Sequence, residues 1–385
     1  MNRLRVAVNF LIVGFSILLG LVICEGGARL FLDSADYLGK ELLDDKILGA
    51  VLAPNTSGYD EWGFRNKTVP QSVDIVAIGD SHTFGNTAKT AESWPSVLGQ
   101  LTGRTVYNLG MGGYGPNQYY HLLTTKALSL NPRIIICGLY FGDDFDNAFR
   151  MTYGLEYWSF LRQKSFNRID ADIWEDPDNP SLGRSWDRKM RVWLSQHSLV
   201  YQILFHGPLA ARFIGSAQIA NAARFNDLAT TLVVDDKNIA EAFLPKSPLR
   251  GLDQGEESVQ EGMRITLKIL KDMHELTAKN NAEFIVLVIP TKEMVYSDYL
   301  EGNQNLKLAD VIHKLLSQER MARQKVFSFL DEANIRYVDA LPSLKQGVGQ
   351  EIYARSAGDM HPGKHGYRKI AEAVSMYLQR GEAKR

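Results

Sequence analysis

The chain has 385 residues, 45% of them hydrophobic, which is ample for a core of the α/β size class. Lys and Arg number 43 against 44 Asp and Glu, a net charge of -1 that leaves no basic footprint for nucleic acid. The 2 cysteines, Cys24 and Cys137, exclude a disulfide-held scaffold, and no cysteine–histidine spacing suggests structural zinc.

At the N-terminus, Asn2-Arg3-Leu4-Arg5 precedes an almost unbroken apolar run from Val6 to Cys24, interrupted by Asn9, Gly14, Ser16 and Gly20. At 1.5 Å per residue a helix of that run spans roughly 28 Å, close to the hydrocarbon thickness of a bilayer. Glu25-Gly26-Gly27-Ala28 fits a signal-peptide cleavage site poorly, and Ile23 stands where a lipoprotein cysteine would want a small residue. The sequence therefore predicts a cytoplasmic tip and transmembrane signal-anchor over 1–28, in contact with the lipid bilayer through residues 6–24. Arg3 and Arg5 before the run, with Glu25 after it, orient the N-terminus to the cytoplasm. The expected location is the inner (cytoplasmic) membrane, single-pass, with the remaining chain on the periplasmic or extracellular side. Residues 29–70 show weak periodicity and read as a juxtamembrane segment ahead of a main domain over 71–385.

Strand-like runs near 73–78, 105–108, 133–139, 283–289 and 335–338, separated mostly by helical patterns, predict an α/β fold: a doubly wound, flavodoxin-like, three-layer parallel sheet. The first run, Val73-Asp74-Ile75-Val76-Ala77-Ile78, alternates little and reads as a strand buried on both faces. It ends at Gly79-Asp80-Ser81-His82-Thr83, with turn residues Phe84-Gly85-Asn86 and a helix-like stretch from Glu92 to Leu101 behind it. Ser81 thus stands at the carboxyl end of a buried strand, where open α/β sheets place ligands. Backbone N–H groups there are free to face a developing negative charge. Most such serines only cap the next helix, so a nucleophile must be argued from its partners: a base, an orienter and oxyanion donors.

Candidates follow in chain order. Asn108-Leu109-Gly110-Met111-Gly112-Gly113-Tyr114-Gly115 and Tyr140-Phe141-Gly142-Asp143-Asp144 each come after a strand-like run. Between about 148 and 252 the pattern changes, with Trp158, Trp174, Trp186 and Trp193, an acidic turn over 175–180, and helix-like pieces around 186–205 and 209–230. That stretch is too long for an ordinary crossover and reads as a mostly helical lid or substrate-facing insertion. A helix is predicted from Glu257 to Thr277, with Val259, Met263, Leu267, Leu270 and His274 on one face, and another from Leu306 to Leu330. Near the C-terminus Asp359-Met360-His361 supplies a base and an orienter ahead of an amphipathic helix through Ile370 and Leu378.

These four blocks resemble the SGNH (GDSL-type) hydrolase family over most of the chain beyond about residue 60. The resemblance implies Ser81 as nucleophile with its own N–H in the oxyanion hole, joined by Gly113, with Gly112 one position off as competitor. His361 is implied as base and Asp359 as its orienter. The family's last block usually reads Asp-x-x-His; the shorter Asp-x-His is similar to an N-terminally membrane-anchored branch that includes alginate-acetylation-type acetyltransferases. Asp60-Glu61-Trp62-Gly63-Phe64-Arg65 and Ile289-Pro290-Thr291-Lys292-Glu293 resemble that branch too. In the third block an Asn normally donates to the oxyanion, and this chain has Asp143. An ionised carboxylate at about 3 Å would oppose an oxyanion by roughly 5 kcal/mol at an effective dielectric near 20. Asp143 is therefore held protonated, or points elsewhere, or weakens the site.

The implied activity is that of a membrane-anchored extracytoplasmic serine esterase acting on O-acyl groups, foremost O-acetyl, of an envelope or exported polysaccharide. One alternative is an O-acetyltransferase using the same acyl-Ser81, fed by a membrane acyltransferase; another is a catalytically silent carbohydrate-binding or scaffold protein. No cofactor or metal is implied: His365 lies four residues after His361, but Pro362 and Gly363 intervene. His82 reads as a packed strand-end side chain, and Asp144 and Asp146 as solvated loop residues.

Overall fold

A computed structural model describes residues 2–163, 166, 186–205, 229–234, 239–303, 305–353 and 359–382. Five parallel strands form the central sheet: β3 (Ile75–Gly79), β4 (Val106–Gly110), β5 (Ile134–Tyr140), β8 (Glu283–Ile289) and β9 (Arg336–Asp339). Their spatial order is β4-β3-β5-β8-β9, the flavodoxin-like order in which the chain reverses direction at β3. Every residue of β3 and β5 is buried, as expected of Ile- and Val-rich strands covered on both faces.

Helices cover both faces and make a three-layer α/β sandwich. On one side the helices Pro116–Thr125, Asp144–Gly154 and Glu257–Lys279 pack over Val76, Ile78, Ile135, Val286 and Val288. On the other, Trp94–Thr102 and Lys364–Glu382 cover Ile75, Ala77, Ile136, Ile285 and Leu287. Helix Ala309–Glu332 feeds both cores, Ala322 and Val326 into the first, Ile312 and Leu316 into the second. Glu257–Lys279 buries a wider face than its sequence pattern implied. Ile265, Ile269 and Met273 are buried, while Leu267 and His274 are half-buried, because the helix meets both the sheet and its neighbour Asp144–Gly154.

Two antiparallel ribbons lie outside the sheet. The hairpin β1 (Leu42–Asp45) and β2 (Gly49–Leu52) falls in the stretch whose periodicity was weak. Its Leu48 and Leu52, with Tyr59 and Phe64 beyond it, belong to the first core. The second ribbon, β6 (Thr230–Val234) and β7 (Ile239–Phe243), occupies the insertion. Lys292 pins it to the sheet: its Nζ lies 2.7 Å from Glu241 Oε2 and donates to the Ala242 carbonyl at 3.0 Å. The insertion also holds helices Trp186–His197 and Leu199–Phe205. Trp174, the acidic turn 175–180 and most of the expected helix 209–230 lie outside the described residues.

At the N-terminus Asn2–Phe31 is a single helix, of which Arg5–Phe31 is long and apolar enough to cross a membrane, with mean hydropathy 2.7 over an 18-residue window. Cys24 lies on that helix and Cys137 in β5, both free thiols.

Candidate active site

The site is built at the carboxyl end of the sheet. β3 ends at Gly79, and Asp80 caps a short helix, Ser81–Phe84, by accepting from the His82 backbone N–H at 2.9 Å. That helix lies directly on β4. A Cβ on Gly110 would fall 2.2 Å from the backbone N of Phe84, so a glycine is what lets Ser81 come up beside the strand.

His361 arrives from the far end of the chain on a loop fixed at several points. The Gly363 N–H donates to the Ile352 carbonyl at 2.9 Å, Thr87 Oγ1 to the Pro362 carbonyl at 2.8 Å, and Tyr367 Oη to the Asn86 carbonyl at 2.8 Å. The last two lace the histidine loop to the turn after Ser81. Across this junction His361 Nε2 stands 2.8 Å from Ser81 Oγ, and His361 Nδ1 stands 2.7 Å from Asp359 Oδ1. The same Oδ1 accepts from the His361 backbone N–H at 2.9 Å. That local turn explains how a carboxylate only two residues before the histidine still reaches its ring. The side chains of both are 23% exposed, so the pair keeps an open face for a substrate.

The remaining site residues surround this chain. Gly112 borders Ser81, since a Cβ built on it would sit 3.8 Å from Ser81 Cβ. Gly113 follows in the left-handed region, φ 79°. Asp143 leads the helix Asp144–Gly154, half-buried as a residue but with an Oδ1 sealed from solvent and lacking a hydrogen-bond partner. Burial, reinforced by the Asp80 carboxylate and opposed by His361, pushes its carboxyl up to about 8. At neutral pH Asp143 is therefore mainly a neutral acid.

Two readings of the neighbouring acids are corrected. Asp144 is fully buried, not solvated: Tyr119 Oη donates to its Oδ1 at 2.8 Å and the Tyr140 N–H to its Oδ2 at 2.9 Å. Asp146 is paired, with Arg150 at 2.8 Å. His82 is buried as a packing residue, its Nδ1 2.9 Å from Asp80 Oδ2 and its ring stacked on Tyr140 at 3.8 Å. His365 lies exposed in the first turn of helix Lys364–Glu382.

Sequence reasoning missed Lys40. It comes from the weakly periodic segment and lies over the Phe84 ring at 4.1 Å, with Nζ donating to Asn86 Oδ1 at 3.2 Å. The same Nζ would be 3.9 Å from a Cβ on Gly112, which brings a cation to the rim of the Ser81 site. Much of its stem stays in solvent, but the crowding around the ammonium, with a smaller contribution from Arg65, lowers it to about 8. No motif pointed to it; a lysine before a hairpin carries no sequence signal of its own.

No protein-family model matches the chain, and no curated protein matches it. Among solved structures it is similar to a GDSL-like lipase from Bacteroides thetaiotaomicron, with 10% identity, TM-score 0.36, and coverage of 81% of this chain and 92% of that one. It is similar also to an acetylxylan esterase from Geobacillus stearothermophilus, with 10% identity, TM-score 0.35, and coverage of 80% and 95%. An α/β hydrolase from the Lake Arreo metagenome aligns with 12% identity, TM-score 0.34, and coverage of 78% and 93%. At these identities no residue role passes from them to this chain.

Proposed function

We propose that the protein is a serine-dependent ester hydrolase of SGNH type, with Ser81 as nucleophile, His361 as general base and Asp359 as the orienter of its ring. The observation that carries this is the continuous relay from Asp359 Oδ1 through His361 to Ser81 Oγ, 2.7 and 2.8 Å, between residues 280 positions apart. With Nδ1–H donated to Asp359, the imidazole presents Nε2 as an acceptor to the Ser81 hydroxyl. Ser81 Oγ attacks the ester carbonyl as its proton passes to His361. His361 then returns that proton to the leaving alcohol, and an acyl-Ser81 remains. General-base assistance of this kind contributes about 10²–10⁴-fold.

The oxyanion of the tetrahedral intermediate is assigned to the N–H groups of Ser81 and Gly113, with protonated Asp143 as a third donor. A carboxylic acid kept neutral by an apolar site can donate where a carboxylate would repel. One such donor is worth about 2.7–4 kcal/mol. The substrate class rests on the motif resemblance: O-acyl, foremost O-acetyl, groups on an envelope or exported polysaccharide. The apolar helix Arg5–Phe31 supports anchoring in a membrane, and Arg3 and Arg5 ahead of the run are what favour an inner-membrane anchor with this domain outside. Transfer to a sugar hydroxyl uses the same acyl-enzyme.

The test is turnover of a chromogenic acetyl ester by the full-length chain, with and without an oligosaccharide acceptor. Release of chromophore and acetate in both cases is the expected result. An acetylated oligosaccharide would reassign the protein as a transferase, and no release in either case as a binding module.

A further inference from the structure

The insertion is docked on the apolar N-terminal helix, at the position where that helix would leave a bilayer. Arg29 Nη2 donates to the His197 carbonyl at 2.8 Å. Four residues closer to the N-terminus, the Glu25 carboxylate accepts from Ser198 Oγ at 3.0 Å, the Leu199 N–H at 3.1 Å and the Val200 N–H at 3.0 Å. The chain therefore passes from beside Arg29 to beside Glu25, and helix Leu199–Phe205 starts there, packed against the apolar helix.

Leu199-Val200-Tyr201-Gln202-Ile203-Leu204-Phe205 carries no charge, and Leu204 and Phe205 are 51% and 55% exposed. The preceding helix, Trp186–His197, carries Lys189 and Arg191, both exposed, and its Trp193 is 56% exposed. A basic helix with an exposed tryptophan, followed by an uncharged helix packed beside the apolar helix, has the chemistry of a lipid interface: cations for anionic headgroups, aromatic rings at the boundary, aliphatic side chains beyond it.

We infer that helices Trp186–His197 and Leu199–Phe205 form a membrane-docking element whose partner is the outer interface of the bilayer that holds the apolar helix. The inference rests on the anchoring reading. Its consequence reaches the site, because the Gly39 N–H donates to the Ser195 carbonyl at 2.8 Å and Gln196 Nε2 to the Lys40 carbonyl at 3.3 Å. The membrane-facing helices thus hold the backbone that places Lys40 at the rim of Ser81, and the site is kept at a fixed height above the lipid.

The test uses the full chain with Cys24→Ser, in nanodiscs of phosphatidylcholine and phosphatidylglycerol. An added cysteine, Ile17→Cys, Leu204→Cys or Lys279→Cys, carries an environment-sensitive fluorophore, the native Cys137 being fully buried in β5. Spin-labelled lipids and aqueous iodide are the two quenchers, and circular dichroism verifies folding. The expected result is lipid quenching at 17 and 204 but not at 279, with iodide quenching at 204 about threefold or more below that at 279. Lipid quenching at 17 with full iodide access at 204 would overturn the docking element and leave the anchor standing. A probe at 17 open to iodide would overturn the anchor and the inference with it.

Discussion

Asp143 is the residue on which the proposed chemistry at neutral pH turns. Its carboxyl is raised from an ordinary 3.8 to about 8, so the native state keeps a proton that the unfolded chain has already lost. Stability contributed by that neutral form is greatest at low pH and declines as pH rises from about 4 through 8. Replacing Asp143 with Asn removes the titration and leaves an amide donor. Asp143→Asn is expected to preserve or raise esterase activity, to extend it above about pH 8, and to raise the thermal midpoint more at about pH 9 than at pH 5. Lys40 loses its proton in the same range, so the comparison of variant with parent is what isolates Asp143. Loss of activity in Asp143→Asn would mean that a carboxylate takes part in the chemistry; equal midpoint gains at both pH values would place the side chain outside the buried site.

The Ser81 turn is held by a segment whose periodicity was weak. Arg65 is 6% exposed; its Nη1 donates to the Gly85 carbonyl at 2.8 Å, and its Nη2 to Asp36 Oδ1 and the Ala88 carbonyl at 3.0 Å each. Asp60, nearby, accepts from Tyr107 Oη at 2.6 Å. The stretch Asp60–Arg65 therefore bridges the segment ahead of β3 to the turn that follows Ser81. Arg65→Met would remove these bonds to Asp36 and to the Gly85 and Ala88 carbonyls. It is expected to cost about 3 kcal/mol or more in chemical denaturation, whereas Lys67→Met on the exposed side stays within about 0.5 kcal/mol. Equal small losses would show that the bridge does not hold the turn. Sequence pattern could not display this. Leu42–Asp45 is an edge strand with three exposed residues and no alternation, and the Asp60–Arg65 block, noted for its resemblance, does not state which backbone carbonyls Arg65 holds.

At the scale of the molecule, the continuous apolar runs at 73–78, 133–139 and 283–289 announced three central strands to within two residues, because strands buried on both faces leave little room for polar residues. Their order could be read from the flavodoxin-like pattern. The insertion was legible only as a break in that pattern: helices 186–205 matched, but the ribbon β6–β7 did not show, since it is short and one face carries exposed Val233. Ser81, His361 and Asp359 were named from their blocks. What no block could state was how a two-residue Asp-x-His spacing closes; the local turn through Asp359 Oδ1 supplies that.

The most direct test of the account is active-site labelling. The full-length protein is treated with a fluorophosphonate and the modified residue is located by peptide mass spectrometry. The account predicts a single adduct on Ser81, none in Ser81→Ala, and labelling slowed by about 10⁴-fold or more in His361→Ala. An adduct elsewhere, or undiminished labelling after either substitution, would contradict the assignment of Ser81 as an activated nucleophile.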